Sequence, residues 1–168
     1  GIRMSYVSLG GVNNLQGLVA YVFYGNKAGA AERRKKDIRR SAASYCSMRI
    51  ADFITRGNTI RVGKGLKFGA ISLVQSFKND LDGLDYRSRV DQFYVNCLGR
   101  ELAQKLYPHS ECLVVTHIDG KNHMLHNHII VLNYDYESGH AITDKLIRKI
   151  RDTNDELMKE HNLHVIPK

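Results

Sequence analysis

Apolar residues recur at helical spacing through residues 86–107, and this pattern predicts the longest helix of the chain. Pro108 ends the pattern, because proline has no amide hydrogen to donate inside a helix. The inward face is expected to comprise one continuous stripe: Val90, Phe93, Tyr94, Cys97, Leu98, Leu102 and Leu106.

Shorter amphipathic stretches predict three more helices, over residues 13–25, 41–56 and 144–161. Asn13 or Asn14 suits the N-cap of the first of these, and Gly25 suits its C-terminal stop. The apolar positions expected to face inward are Leu15, Leu18, Val19 and Val22, then Ile50, Phe53 and Ile54, then Leu146, Ile147, Ile150, Leu157 and Met158. The glycine-rich residues 57–69 are expected to form a loop.

Short apolar runs bounded by turn residues predict strands at residues 4–9, 68–77, 111–118, 126–134 and 163–166. Residues 119–125 have the length of a hairpin loop. Strands joined in this way and interspersed with helices indicate the α+β class, with an antiparallel sheet of about five strands and the helices packed mainly on one face. No linker or repeat divides the chain, so residues 1–168 are expected to form one domain.

The composition is that of a folded protein, 43% hydrophobic and 25% charged. No apolar run approaches the roughly 20 residues that cross a bilayer. Cys46, Cys97 and Cys112 are odd in number and far apart. Their spacing favours inert, reduced thiols in a cytoplasmic compartment over a disulfide framework or a thiolate metal site.

The net charge of +8 and the pI of about 9.5 favour a polyanionic partner. The stretch ERRKKDIRR (residues 32–40) holds six cations in nine residues. Such blocks are typical of solvated arms that bind phosphate backbones, and a basic helix surface facing solvent is the alternative. Residues 27–40 as a whole are expected to form a mobile connection.

Three histidines, His117, His126 and His128, have the spacing His-x8-His-x-His within an apolar run. Because side chains alternate along a strand, one register of two paired strands places all three imidazoles on the same face. Such a cup holds a metal ion and leaves positions open for water or substrate. Asp119 shares the parity of His117 and suits a supporting role, accepting a ring N–H and setting the tautomer. His123 breaks the parity and falls in the loop, so it is excluded as a ligand.

The cup alone does not select a reaction. It fits a three-histidine zinc hydrolase, an iron enzyme with a facial triad, or a phosphodiesterase. No role is assigned to the isolated histidines His109, His140, His161 and His164.

The segment around the three histidines is similar to the third motif of relaxases, the strand-nicking enzymes of plasmid and transposon transfer. Relaxases belong to the HUH endonucleases, named for two histidines that flank a hydrophobic residue. Here the motif reads HNH (residues 126–128), as in the MOBP class. LVAYVFYG (residues 18–25) resembles the first motif and LVQSFK (residues 73–78) the second, in the expected order. Residues 150–166 resemble the end of the family's catalytic domain.

The resemblance implies a role for each matched residue. Tyr21 in the first motif would be the nucleophile, with Tyr24 as the alternative, and Ser76 in the second would contact DNA. Attack by the tyrosine would give a 5′-phosphotyrosine link and a free 3′-OH. A divalent cation on the histidines would stabilise the phosphate charge, with Mn or Mg expected in the cell and Zn, Co or Ni also suited to the ligands. Asp119, directly or through His117, is the candidate base.

The implied substrate is single-stranded DNA at an origin of transfer, with an adjacent hairpin expected and accessory transfer proteins as further partners. Besides Ser76, the residues expected to bind DNA are the cations Arg33, Arg34, Lys35, Lys36, Arg148 and Arg151. The family also implies that residues 1–168 are the N-terminal part of a longer protein.

Three alternatives stay open. A rolling-circle replication initiator would perform the same cleavage, but its tyrosine follows the histidines, where Tyr134 and Tyr136 would be the candidates. A three-histidine zinc hydrolase would need neither Tyr21 nor a basic surface. A DNA-binding module with a structural metal would form no covalent adduct.

Overall fold

In the computed structural model, which describes residues 6–142 and 147–165, five strands form one antiparallel sheet in the order β1-β3-β5-β4-β2. The strands are β1 (Tyr6–Val12), β2 (Ala43–Cys46), β3 (Ala70–Ser76), β4 (Cys112–His117) and β5 (His126–Leu132). The helices are α1 (Leu15–Tyr24), α2 (Ala30–Lys35), α3 (Ile50–Gly63), α4 (Asn79–Asp82), α5 (Arg89–Leu106) and α6 (Ile147–Glu160). The α+β class and the five-stranded antiparallel sheet are confirmed.

The helices cover both faces of the sheet rather than mainly one. On one face, α5 and α6 pack against Leu73, Val114 and Ile129. On the other, α1 and α3 pack against Leu113 and Ile130, the next residues along the same strands. Helices cover both faces because the central strands are apolar on both sides. The runs LVV (113–115) and IIVL (129–132) are continuously apolar, which is typical of strands buried on both faces.

The stretch predicted as one helix over residues 41–56 is divided. Its first part is strand β2, which pairs along the open edge of β4, and α3 begins only at Ile50 and runs on into the predicted loop. Gly57 lies inside α3, where an added Cβ would come within 2.3 Å of the Leu15 side chain. The glycine therefore serves close packing of α3 on α1 and does not end the helix.

Helix α5 confirms the predicted helix over residues 86–107, but its inward face is rotated. Val90 and Phe93 are 76% and 61% exposed, whereas Gln92 and Asn96 are buried. These buried amides have hydrogen-bond partners: Gln92 donates to the Tyr86 carbonyl in the segment before α5, and Asn96 donates to the Val114 carbonyl and the Thr116 hydroxyl on β4.

The amide of Asn127 is the centre of a buried polar network between β5 and α5. It accepts from the Thr116 hydroxyl at 2.6 Å and donates to the Gln75 side chain at 2.9 Å and to the Val95 carbonyl at 2.8 Å. Gln75 in turn donates to Asn154 on α6. Asn127 thus forms hydrogen bonds with buried polar groups, at the position between the two histidines for which the HUH motif is named after a hydrophobic residue.

Other elements differ at their ends. Residues 27–40, predicted as a mobile connection, include helix α2. Residues 163–165 form no strand, although Leu163 and Val165 pack on the core beside α6. Residues 4–5 of the first predicted strand, 144–146 of the last predicted helix and 166 of the last predicted strand lie outside the described residues.

Helix α1 begins and ends as predicted. The Asn14 side chain caps it by accepting from the Gly17 amide, and Gly25 follows its last residue with a positive φ of 78°. Within the described ranges, no helix is long and apolar enough to cross a membrane.

We expect Asn127→Ala to lower the free energy of unfolding by about 2–4 kcal/mol, because it removes one hydrogen bond each from buried groups of Thr116, Gln75 and Val95. Urea unfolding followed by circular dichroism measures the change. Asn58→Ala, at an exposed position of α3, is the control and should be neutral or slightly stabilising. Equal effects of the two substitutions would contradict a structural role for the network.

Candidate active site

The three histidines predicted as ligands meet on the α1 side of the sheet. His117 on β4 is paired directly with His126 on β5, and His128 lies two residues further along β5 with the same parity. The ring centroids are 5.3 Å apart for His117–His126, 4.7 Å for His117–His128 and 5.3 Å for His126–His128. One nitrogen of each ring can be chosen so that all three lie within 4.8 Å of one another, close enough to share one cation.

Backbone carbonyls orient two of the rings. His126 Nδ1 lies 3.0 Å from the Met124 carbonyl, so an N–H there leaves the Nε2 lone pair for a metal. His117 Nε2 lies 2.5 Å from the Val22 carbonyl, which leaves the lone pair on Nδ1. Sequence reasoning placed Asp119 in this supporting role, but the structure gives it to the two carbonyls.

The protonation of the cluster also suits a cation. Burial, with the neighbouring histidines, lowers the pKa of His128 to about 3, and burial lowers the pKa of His117 as well. Both rings are therefore neutral at neutral pH and keep a lone pair to donate. Gly120 lies beside His126, where a Cβ would come within 3.1 Å of the ring, so the glycine keeps that side of the cluster open.

Tyr21 on α1 faces the same cavity as the three histidines. The cavity has a volume of about 220 Å³, and Asp119, Arg40 and Lys27 also line it. Tyr21 is 45% exposed, which is high for an aromatic residue on a helix whose other face is buried in the core. Its hydroxyl is thus accessible from the solvent side of the cluster.

Tyr24, the alternative nucleophile, does not line this cavity. Its hydroxyl donates to the Asp37 carboxylate at 2.6 Å, and this hydrogen bond raises the pKa of Tyr24. The Tyr24 hydroxyl is therefore bonded to Asp37 outside the cavity, and it is harder to deprotonate than a free phenol.

Asp119 and Arg40 form an ion pair at the cavity wall. Arg40 was not singled out from the sequence as a site residue. The two residues are 79 positions apart, so spacing alone could not link them. The only signal was that Arg40 is the last cation of the stretch 32–40. The ion pair gives the cavity a fixed guanidinium next to its carboxylate, an arrangement that can bind an anionic group.

The predicted DNA-binding residues fall into different environments. Ser76 is 4% exposed and pairs with His126 across the β3–β5 ladder, so it lies beside the cluster but is buried. In and just after α2, Arg34, Lys35 and Lys36 are exposed, whereas Arg33 is half-buried against the end of α1. Arg148 and Arg151 are exposed on α6, which packs on the sheet face opposite the histidines, so the structure does not bring them to the cavity.

The remaining histidines lie apart from the cluster. His123 stacks on the Tyr86 ring at 4.3 Å, in agreement with its exclusion as a ligand. His109, His161 and His164 each contact a carboxylate, on Glu137, Glu101 and Asp82 respectively.

Comparison with known proteins adds three observations. Residues 32–163 match the family model described as the MobA/VirD2-like relaxase nuclease domain, a range that includes the three histidines and Ser76 but not Tyr21. Two proteins named rlx from Staphylococcus aureus are 35% identical over 95 residues (55% of this chain, 26% of the relative) and 29% identical over 137 residues (80% and 39%). The chain therefore spans about a quarter to two-fifths of these relatives.

A solved structure described as the molecular basis of vancomycin resistance transfer in Staphylococcus aureus aligns over 97% of this chain and 96% of its own. The TM-score is 0.54 and the sequence identity 10%, so this likeness concerns the fold. The family model covers well over half of the chain and includes the histidine cluster, and the chain accordingly belongs to the MobA/VirD2-like relaxase family and forms its nuclease domain.

Proposed function

We propose that this domain cleaves one strand of DNA at an origin of transfer through a covalent link to Tyr21. The observation that carries the proposal is the placement of Tyr21 in the same cavity as His117, His126 and His128. Two independent requirements of phosphodiester cleavage, a nucleophile and a site for a cation, are thereby met at one place.

In the proposed step, the Tyr21 hydroxyl oxygen attacks the scissile phosphorus. The bond from phosphorus to the 3′ oxygen breaks, the 3′ oxygen leaves and takes up a proton, and the 5′ phosphate stays on the tyrosine. The new phosphotyrosine keeps the energy of the broken ester, so the reverse reaction can rejoin a strand.

The chain's own charged residues suit this chemistry. Arg40 and Lys27 line the cavity and favour an anionic phosphate there. Asp119 remains our candidate acceptor for the Tyr21 proton, because it is the carboxylate of the cavity. Its ion pair with Arg40 holds the carboxylate at the cavity wall, beside the position proposed for the phosphate.

The donor set fits a divalent cation, since three imidazoles converge and two of them are oriented by carbonyls. When bound, such a cation supplies positive charge beside the phosphate and stabilises the charge of the transition state. Imidazole ligands suit Mn, Co, Ni and Zn better than Mg, and we propose Mn as the cation most compatible with both the site and the cell.

We further propose that the exposed cations at the end of α2, namely Arg34, Lys35 and its C-cap Lys36, contact the DNA backbone, and that Ser76 supports DNA binding beside the histidine cluster. A hairpin next to the cleaved site and accessory transfer proteins are proposed partners. The initiator alternative is disfavoured, since Tyr134 and Tyr136 do not line the cavity and the Tyr136 hydroxyl donates to the Pro108 carbonyl.

Tyr21→Phe is expected to abolish adduct formation on single-stranded origin DNA with Mn²⁺, a loss of about 10³-fold or more, because the nucleophilic oxygen is gone. A denaturing gel that separates the protein–DNA adduct measures it. The substitution removes one exposed oxygen, so the thermal unfolding midpoint and metal binding should be unchanged.

Tyr24→Phe is the matched control on the same helix and should retain most of the activity. The opposite pattern would move the nucleophile to Tyr24. Adduct formation by both variants would exclude this helix, and peptide mass spectrometry would then examine Tyr134 and Tyr136. DNA binding without any adduct in the wild type would favour the non-catalytic module, and metal-dependent hydrolysis of small esters without DNA binding would favour the zinc hydrolase.

For the metal site, we expect His128→Ala to lower the affinity for Mn²⁺ by more than about 100-fold. Loss of a residue that only orients a metal ligand lowers the affinity by about 10- to 100-fold, and loss of the ligand itself should have a larger effect. Isothermal titration calorimetry measures the affinity without reference to activity. His140→Ala, at an exposed position away from the cluster, is the control and should bind as the wild type does. Unchanged binding by His128→Ala, with the fold intact, would exclude this cluster as the site.

A further inference from the structure

Helix α1 ends at the cavity, and its last four carbonyls all have hydrogen-bond partners. The Tyr21 carbonyl accepts from the Gly25 amide, the usual helical bond, at 2.8 Å. The other three accept from outside the helix: Val22 from His117 Nε2, Phe23 from the Arg40 amide at 2.7 Å, and Tyr24 from the Arg33 guanidinium. Helix ends leave such carbonyls without intrahelical partners, so their capping decides whether the last turn is ordered.

The Arg33 guanidinium makes the most extensive of these caps. Its Nε and Nη2 donate to the Tyr24 carbonyl at 3.1 and 3.0 Å, and its Nη1 donates to the Ala28 carbonyl at 3.2 Å. The guanidinium therefore joins the end of α1 to the turn that precedes α2. The positive charge of Arg33 also interacts favourably with the partial negative charge at the C-terminus of α1. Helix α1 itself has no basic residue in its last turn.

Neighbouring residues hold the same turn from the other side. Asp37, with a positive φ of 51°, accepts from the Tyr24 hydroxyl, and the Arg39 guanidinium lies 4.6 Å from the centre of the Phe23 ring. An isolated ten-residue helix is marginal in water, so the aim of Tyr21 depends on these external contacts.

We propose that Arg33 is a positioning residue for Tyr21, acting through the C-terminal turn of α1 and not through contact with DNA. The proposal rests on the proposed function of Tyr21 as the nucleophile. It also divides the six cations of the basic stretch into two groups. Arg33, Arg39 and Arg40 contact α1 or line the cavity, while Arg34, Lys35 and Lys36 are exposed. Loss of Arg33 should then reduce the rate of the chemical step at saturating DNA, because small displacements of a reacting group lower rates strongly.

The test compares Arg33→Ala with Arg34→Ala, the adjacent exposed arginine on the same helix. For Arg33→Ala we expect adduct formation in a single turnover at saturating DNA to slow about 10- to 100-fold. Its DNA affinity should change by less than about 3-fold, with the same salt dependence. For Arg34→Ala we expect weaker DNA binding with a shallower salt slope, a defect that saturating DNA removes. Arg33→Lys should be intermediate, since one ammonium cannot reproduce the planar fork that spans the two carbonyls.

Amide hydrogen exchange supplies a readout that needs no catalysis. In Arg33→Ala, protection of the Gly25 amide should fall at least about 10-fold, the loss expected for a hydrogen bond from a charged group, and in Arg34→Ala it should not change. Lower affinity with a normal rate at saturation, or unchanged protection, would overturn the positioning role. An adduct that persists in Tyr21→Phe would instead overturn the proposed nucleophile and leave the exchange result standing. If Arg33→Ala does not fold, Arg33→Lys carries the same comparison.

Discussion

The antiparallel pairing of β4 with β5 is the constraint on which the site depends. It sets His117 against His126 and leaves His128 two residues away on the same face. A slip of one residue would turn one strand's histidines to the opposite face and separate the cluster. The neighbouring pair, Thr116 and Asn127, is bonded side chain to side chain on that opposite face, so the polar network under α5 holds the register that the histidines use.

The two faces of the sheet thus have different tasks. The face under α5 and α6 contains the larger core and a satisfied network of buried amides, which specifies one arrangement because each donor has a partner in only that arrangement. The buried core under α1 and α3 is apolar, and the three imidazoles lie beside it, at the end of the strands. The same two strands, β4 and β5, contain the buried amide network and the three imidazoles. The alternation of side chains along a strand places these two sets on opposite faces of the sheet.

The end of α1 links the histidine cluster to Tyr21, the proposed nucleophile. His117 belongs to the cluster and also contacts the Val22 carbonyl, one residue after Tyr21. Binding at the cluster and the position of Tyr21 are therefore mechanically connected through a single turn of helix. The neutral imidazoles of His117 and His128 and the Arg40–Asp119 ion pair have no net charge, so a cation bound at the cluster would supply the positive charge that faces a phosphate.

The sequence by itself determined the elements with strong local signals: α1 with its Asn14 cap and Gly25 stop, the long helix α5, and the histidine hairpin, because periodicity and parity are local properties of a chain. Tertiary structure decided what depends on distant partners. Residues 43–46 form a strand because they pair with the open edge of β4. Gly57 is helical because α3 packs closely on α1. Gln92 and Asn96 face inward because carbonyl acceptors lie within hydrogen-bond distance there. Likewise Arg40 reached Asp119, and Arg33 reached the end of α1, only through the folded chain, since spacing in sequence carries no information about contacts between separate elements.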